Sequence, residues 1–317
     1  MNFLRNLNKK PKKYQRMLGI HQKQFNILCA NVGYVLKKRL CITEANTKKE
    51  RKRAPGGGRK PKLTKIEDKL LVTLLYYKLY FSQEFIATIF DVDQSTISRT
   101  IRMISNVIEE SADPYLEKYL EEAKNNCPKG KTHVSNIAEF CREYPDLEEI
   151  MTDGTEISCY RPQDNDKQKE HYSGKRKRHT LKIQLTVSSS KRVLDVSKTY
   201  PGSVHDKKIF DTEKTVDKTT RYSRHLVDKG YYGVDKENLD KNILVPFKKP
   251  KGGELSQFQK QVNRYNSGKR IVVENVIGKL KNNRIISSVF RGPIDSFNQI
   301  FRNIAAIWNF KLATTTT

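Results

Sequence analysis

The chain has 317 residues, and its 61 Lys+Arg against 35 Asp+Glu give a formal net charge of +26. That length allows about two domains with a sizeable core. No stretch approaches the ~20 uncharged apolar residues of a spanning helix, and with a hydrophobic fraction of 36% this excludes an integral membrane protein.

The N-terminus, MNFLRNLNKKPKKY, is basic but has no apolar segment behind it, so no signal peptide is expected. The cysteines (Cys29, Cys41, Cys127, Cys141, Cys159) are odd in number and form no CxxC pair. A reducing compartment suits them better than a disulfide framework or a structural zinc site. Residues 1–62 hold 18 Lys or Arg against Glu44 and Glu50, so most of the net charge collects at one end. Such a field attracts polyanions. Nucleic acid fits it better than an acidic membrane surface, because no lipid anchor or basic helix with an aromatic face accompanies it.

Four zones follow in chain order. Residues 1–46 form a basic segment with a helix over 22–40, on the spacing of Phe25, Leu28, Cys29, Val35 and Leu36. Residues 47–62, TKKERKRAPGGGRKPK, read as a basic Gly/Pro linker. Arg59 and Lys60 in it could enter a narrow minor groove, or the segment could be a solvated tether.

Residues 63–126 read as a helix-turn-helix region with a connecting helix. A first helix over 63–80 carries Ile66, Leu70, Leu74 and Leu75 inward, and Ser82 caps a second over 83–90. After the turn Asp91-Val92-Asp93, a third helix buries Ile97, Ile101, Ile104 and Ile108. Gln94, Ser95, Thr96, Ser98, Arg99 and Arg102 are left on or near its open face. Short polar groups at a helix start, with arginines a turn later, are suited to base edges and phosphates in a major groove. An ordinary three-helix bundle is the alternative.

From 147 to 317, β-rich runs alternate with helices, as in an α/β domain. An apolar strand ends in Asp153-Gly154. Runs 179–188 and 192–200 form a hairpin turning at Ser189-Ser190-Lys191, a helix covers 205–213, and a strand over 224–227 runs into Asp228. A strand over 242–247 and a polar insertion lead to a helix starting near Lys269. There Arg270, Glu274 and Lys281 line one stripe beside Val273, Ile277 and Leu280. Two strand-end aspartates and a helix glutamate at one sheet edge suit two Mg²⁺ ions, with Mn²⁺ as a substitute, because hard cations take oxygen ligands. Lys175, Arg176, Lys177 and Arg178 could bind phosphate or be a solvated hairpin edge. His205 could carry a proton or be a hydrogen-bonded structural group.

The motifs MTDGTEI, YSGKRKRHTLKIQ, YPGSVHDKKIF, LVDKGYYG and RIVVENVIGKLK, in this order, resemble the DDE transposases of the IS5 insertion-sequence group and their Harbinger-type relatives. The resemblance implies an RNase H-like catalytic domain, a mixed sheet flanked by helices, behind an all-α helix-turn-helix domain. It also implies metal-dependent DNA cleavage and strand transfer. Asp153, Asp228 and Glu274 match the three carboxylates, and Arg270 and Lys281 the accompanying cations. A tyrosine of the pattern would stand at Ser267, so its role is absent or taken by Tyr265. Asp206 also falls in a shared motif and could count as a catalytic carboxylate; its place at a helix start favours a cap instead.

The expected partner is double-stranded DNA, both element ends and target. Two ends handled together imply a homodimer or larger synaptic assembly, in the cytoplasm with the nucleoid or in a eukaryotic nucleus. A transposase-derived DNA-binding protein that no longer cuts and a plain metal-dependent endonuclease are the competing readings.

Overall fold

The computed structural model describes residue 7 and residues 9–46, 62–128 and 133–315. Arg59, Lys60 and nearly all of the 47–62 linker lie outside the described residues. The chain divides into two compact units, one of residues 1–114, 282–286 and 299–317, the other of residues 115–281 and 287–298.

The first unit is helical: α1 (Pro11–Leu18), α2 (Gln22–Asn46), α3 (Ile66–Leu79), α4 (Gln83–Phe90) and α5 (Gln94–Ala112). Pro11 opens α1, where its missing N–H costs nothing, and Gly19 closes it with φ 79°. Ser82 caps α4 as expected, accepting from Phe85 N at 3.1 Å. Asp91 takes the left-handed conformation, φ 50°, at the turn before α5. Ile97, Ile101, Ile104 and Ile108 are buried, in agreement with their spacing.

Helix α3 differs from the single inward stripe read in its sequence: every residue from Leu70 to Tyr77 is buried. Its neighbours explain this, because α1, α2 and α5 all pack on it, as does the 3₁₀ turn Arg284–Ile286. A helix apolar all round is a central one.

The second unit begins with α6 (Leu116–Asn126) and α7 (Val134–Glu143), followed by β1 (Glu149–Ser158), α8 (Asn165–His171), β2 (Tyr172–Ser173), β3 (Arg178–Ser188), β4 (Val193–Val196) and β5 (Tyr200–Pro201). Then come α9 (Asp206–Thr212), β6 (Arg224–Leu226), α10 (Val234–Glu237), β7 (Asn242–Leu244) and α11 (Gln257–Leu280). Among the described residues the sheet runs β2-β3-β1-β6-β7, with β4 and β5 also pairing to β3. β3 is antiparallel to β1, whereas β6 is parallel to both β1 and β7. The C-terminal ends of β1, β6 and β7 therefore leave at one sheet edge, where β3 enters. A mixed sheet flanked by helices, behind a helical region, agrees with the RNase H-like expectation.

Two sequence expectations change. β1 does not end at Asp153-Gly154 but continues to Ser158, with Asp153 paired to Leu185 and Gly154 to Gln184. The alternation of Thr155 and Ile157, both buried, carries the strand past a dipeptide that reads as a turn. Helix α11 begins at Gln257, well before Lys269. Its start is a capping box, Gln259 N donating to Ser256 Oγ and Ser256 N to Gln259 Oε1.

The last helix is α12 (Phe297–Thr315). Residues 299–315 group with the helical first unit and α6 with the sheet unit. Polar pairing shows why. Asn303, fully buried, donates to Tyr77 Oη at 3.0 Å and Ser105 O at 2.8 Å, and Arg302 and Asn309 pair with Glu109 and Asp113.

Candidate active site

Asp153 stands where the central strand becomes accessible: Ile150, Met151 and Thr152 are buried, and Asp153 and Gly154 are half-buried. Successive strand residues point to opposite faces. Asp153 faces α11, which packs across β1, β3 and β6, and residue 154 faces the start of α9. Asp228 lies just beyond β6, at the start of the 3₁₀ turn Lys229–Tyr231. Glu274 projects from α11 with its side chain largely exposed.

Arg270 joins these carboxylates. Its Nη1 donates to Asp228 Oδ1 at 3.1 Å, and its Nη2 is 3.9 Å from Glu274 Oε1. The sequence stripe placed Arg270 beside the apolar face of its helix; in the structure it lies within that face, 7% exposed. Its Nε is buried without a hydrogen-bond partner among the described residues.

Burial is the main reason the Asp153 carboxyl is pushed up to about 6. Arg270 and the Gly154 N–H, donating to Asp153 Oδ1 at 2.8 Å, pull it down, while Asp228 and Asp206 push it up.

Asp206 is not the cap read from its position. His205 holds the N-cap position of α9 and no side chain caps the helix; Asp206 is its first residue. Its carboxylate pairs with Lys182 Nζ at 3.2 Å and lies over Gly154, so close that a Cβ there would stand 2.8 Å from Oδ1. Lys182 is almost fully buried, donates to Val204 O at 2.7 Å and lies 3.8 Å from Glu156 Oε1. Sequence reasoning passed over Lys182 and Glu156. The available signal was a lysine inside an otherwise apolar strand, LKIQL, a position that demands buried partners.

Lys281 lies at the end of α11, with Nζ 3.4 Å from Glu156 O. Burial pulls its ammonium below the ordinary lysine range, Arg176 adds to that, and Glu156 and Asp153 oppose it. Lys175, Arg176, Lys177 and Arg178 are exposed in the tight turn between β2 and β3, at the sheet edge that β1 exits. His205 is exposed in a shallow groove with Lys207, Lys208 and Gly230. Tyr265 is exposed, with Lys269 Nζ 5.6 Å from its ring centre, and Lys269 is bound to Glu149 at the start of β1. Below Asp228, Tyr231 is buried and its hydroxyl donates to Gln184 Oε1 at 3.3 Å.

The donor set fits a hard divalent cation: oxygen ligands only, around a half-buried aspartate that two other carboxylates disfavour. Among the described residues, no three His, Cys, Asp or Glu side chains stand together closely enough to hold an ion as arranged. Asp228 is bonded to Arg270 instead.

In the helical unit, Gln94, Ser95, Arg99 and Arg102 are exposed on α5, and Thr96 and Ser98 are half-buried beside them. Gln94 Nε2 donates to Gln83 Oε1 at 2.7 Å, and Arg99 Nε to Ser95 O at 3.1 Å, so two of these side chains have defined directions. No helix is long and apolar enough to cross a membrane among the described residues.

Comparison with known proteins adds three findings. The family model described as DDE superfamily endonuclease matches residues 152–309, and that described as the helix-turn-helix of DDE superfamily endonuclease matches residues 61–114. A probable transposase for insertion sequence element IS702, from Microchaete diplosiphon, is 30% identical over 303 residues, covering 95% of this chain and 95% of its own. No solved structure matches the chain significantly.

Proposed function

We propose that this chain, which belongs to the DDE superfamily endonucleases and is a transposase, cuts and joins DNA with Asp153, Asp228 and Glu274 as its catalytic carboxylates. The observation that carries the reading is the buried guanidinium of Arg270 on α11, which bonds Asp228 just beyond β6, lies 3.9 Å from Glu274 and acts electrostatically on Asp153 in the adjacent parallel strand β1.

Enzymes of this superfamily depend on divalent metal. The oxygen-only donors favour Mg²⁺, with Mn²⁺ able to replace it and two ions per site. When bound, such ions would sharpen water or a 3′-hydroxyl as nucleophile and stabilise the leaving oxygen.

The chain's own residues do the rest. Asp153 must be ionised to act as a ligand. Arg270 offsets the mutual repulsion of the carboxylates before DNA arrives. Lys281 and the exposed turn Lys175, Arg176, Lys177 and Arg178 supply positive charge for phosphates. Asp206, held by Lys182, adds negative charge behind Asp153 in a supporting role, and His205 lines the adjoining groove.

The helical unit would read the element's terminal inverted repeats through Gln94, Ser95, Thr96, Ser98, Arg99 and Arg102, with Arg59 and Lys60 adding contacts from the linker. Two ends must be cut in concert, so the working form is a homodimer or larger synaptic assembly, located with the host's DNA.

The test compares duplex made from the DNA on either side of this gene, where the reading expects inverted repeats, with random duplex and with RNA·DNA hybrid, each with Mg²⁺. Cutting confined to repeat-bearing duplex, and lost in Asp153→Asn, Asp228→Asn and Glu274→Gln with binding retained, supports the reading. Binding without cutting by the unaltered chain would favour a DNA-binding derivative, and cutting without end preference a plain nuclease.

A further inference from the structure

Beyond Asp228, the chain turns so that two consecutive tyrosines part. Tyr231 N donates to Asp228 O at 3.0 Å and Tyr232 N to Lys229 O at 3.2 Å, closing a tight turn. Tyr231 is 1% exposed and meets the Phe210 ring edge-on at 5.6 Å. Tyr232 is 50% exposed, and Gly233, with φ 96°, redirects the chain immediately after it. One ring anchors the turn in the core, and the next is thereby presented on a rigid base, four residues from a proposed catalytic carboxylate.

Two ammonium groups converge on the presented ring, Lys236 Nζ at 5.4 Å and Lys248 Nζ at 5.7 Å from its centre. Neither makes an ion pair among the described residues. Glu237, the nearest carboxylate in sequence that could pair with Lys236 besides Asp235, is bound to Lys207 at 2.7 Å. Lys248 follows β7, which is parallel to β6, so both Lys248 and Asp228 emerge at the same sheet edge. Across that edge, cations flank the carboxylates on both sides: the 175–178 turn beside β3, and Lys236 and Lys248 beside β7.

An outward aromatic ring beside two lysines suits a nucleotide: the base can take the ring face in place of an ammonium group, which then moves to the phosphate. In intact duplex both faces of each base are already stacked, so the ring can engage only a base that has left the stack. Cutting at the neighbouring carboxylates leaves the bases paired, and opening of the pairs at the new end is what would free such a base.

We infer that Tyr232, with Lys236 and Lys248, is a stacking site for an unpaired nucleotide of the DNA next to the cut. The inference rests on the cleavage reading above for its setting, but not for its test.

The test uses the full chain without divalent metal and three DNA probes: a blunt repeat-bearing duplex, the same duplex pre-cut to leave a short single-stranded overhang, and a random single-stranded oligonucleotide. 2-Aminopurine in the overhang and in the oligonucleotide reports stacking by quenching. The unaltered chain should quench it. Tyr232→Ala should abolish the quenching and weaken overhang and single-strand binding on the order of 10-fold, leaving blunt-duplex affinity unchanged. Tyr232→Phe and Tyr232→Trp should retain both. Replacing Lys236 and Lys248 together with Ala should lower the salt dependence of single-strand binding.

Quenching by Tyr232→Ala equal to that of the unaltered chain, or an equal loss on blunt duplex, would overturn the inference. Failure of the transposase reading shows separately, as no preference of the unaltered chain for repeat-bearing over random duplex. The single-strand arm is read either way.

Discussion

The Asp206 carboxylate fills the space that a side chain on residue 154 would need: a Cβ there would stand 2.8 Å from Oδ1 and 3.3 Å from Cγ. Gly154 is thus required for room rather than for backbone freedom. Lys182, itself tied to Val204 O, holds the carboxylate in place, so it cannot simply swing away. Gly154→Ala should therefore displace Asp206 and lower DNA cutting about as much as Asp206→Ala does. The double variant should be no worse than Asp206→Ala alone, a coupling of about 1 kcal/mol or more between contacting residues. Full additivity in cutting rates and unfolding midpoints would show that the close approach is not what constrains residue 154.

Asp153 yields a pH dependence with a definite sign. Its folded carboxyl titrates at about 6, above the usual 3.8, so keeping it ionised in the folded chain opposes folding. The penalty is absent below pH ~4, grows as pH rises, and is complete above about 6; at ~1.4 kcal/mol per pKa unit it is at most about 3 kcal/mol. Metal-free Asp153→Asn should therefore melt higher than the unaltered chain at pH 7.5, and the difference should vanish near pH 4. Added Mg²⁺ should raise the melting point of the unaltered chain and much less that of Asp153→Asn. Because protons and Mg²⁺ would compete for this carboxylate, cutting by the unaltered chain at limiting Mg²⁺ should fall as pH drops through about 6, and saturating Mg²⁺ should move that limb to lower pH. Arg270→Gln should move that acid limb to higher pH, because Arg270 is the chief influence lowering the Asp153 pKa. A limb that stays in place would separate Arg270 from Asp153 electrostatically.

What could be read in the sequence was what depends on neighbours along the chain. The isoleucine spacing of α5, the Ser82 cap and the order of strand, strand and helix around Asp153, Asp228 and Glu274 are all local patterns, and the structure keeps them. Lys182 with Asp206, and Arg270 with Asp228, are pairs between segments far apart in sequence, for which periodicity carries no signal. The early start of α11 was legible in principle, since Ser256 and Gln259 have capping-box spacing. The polar run behind them, with Gly268 inside it, hid the helix.

On the proposed reading, the exposed face of α5 would make two kinds of DNA contact. Arg102 projects as a cation, whereas Gln94 and Ser95 sit at the helix start, Gln94 being held by Gln83. Arg102→Ala should weaken binding to repeat-bearing and random duplex alike, and reduce the slope of log affinity against log salt by about one. Gln94→Ala should instead narrow the difference between the two DNAs, with little change in slope. An Arg102→Ala protein with an unaltered salt slope would place α5 away from the DNA backbone.

The C-terminal helix should be needed for the helix-turn-helix to fold, although it lies far from it in sequence. Asn303 supplies donors to the Tyr77 hydroxyl and the Ser105 carbonyl inside the helical unit, where the Tyr77 hydroxyl and Ser105 Oγ are already bonded at 2.6 Å. Burial, partly offset by these bonds, pushes the Tyr77 phenol up to about 12, so the hydroxyl remains a neutral partner across the working pH range. Asn303→Ala leaves a buried carbonyl with one donor fewer and a cavity beside it, at a cost of about 1–3 kcal/mol. Asn303→Leu restores the volume but not the donors, so it should recover only part of that loss. A fragment of residues 1–114 contains every residue of the helix-turn-helix match up to its end, yet it lacks Asn303, Arg302 and Asn309. It should be poorly folded by circular dichroism and bind DNA weakly, and adding a peptide of residues 297–315 should restore helicity. Cooperative unfolding and full DNA affinity in the fragment alone would show that α3 and α5 complete their core without the last helix.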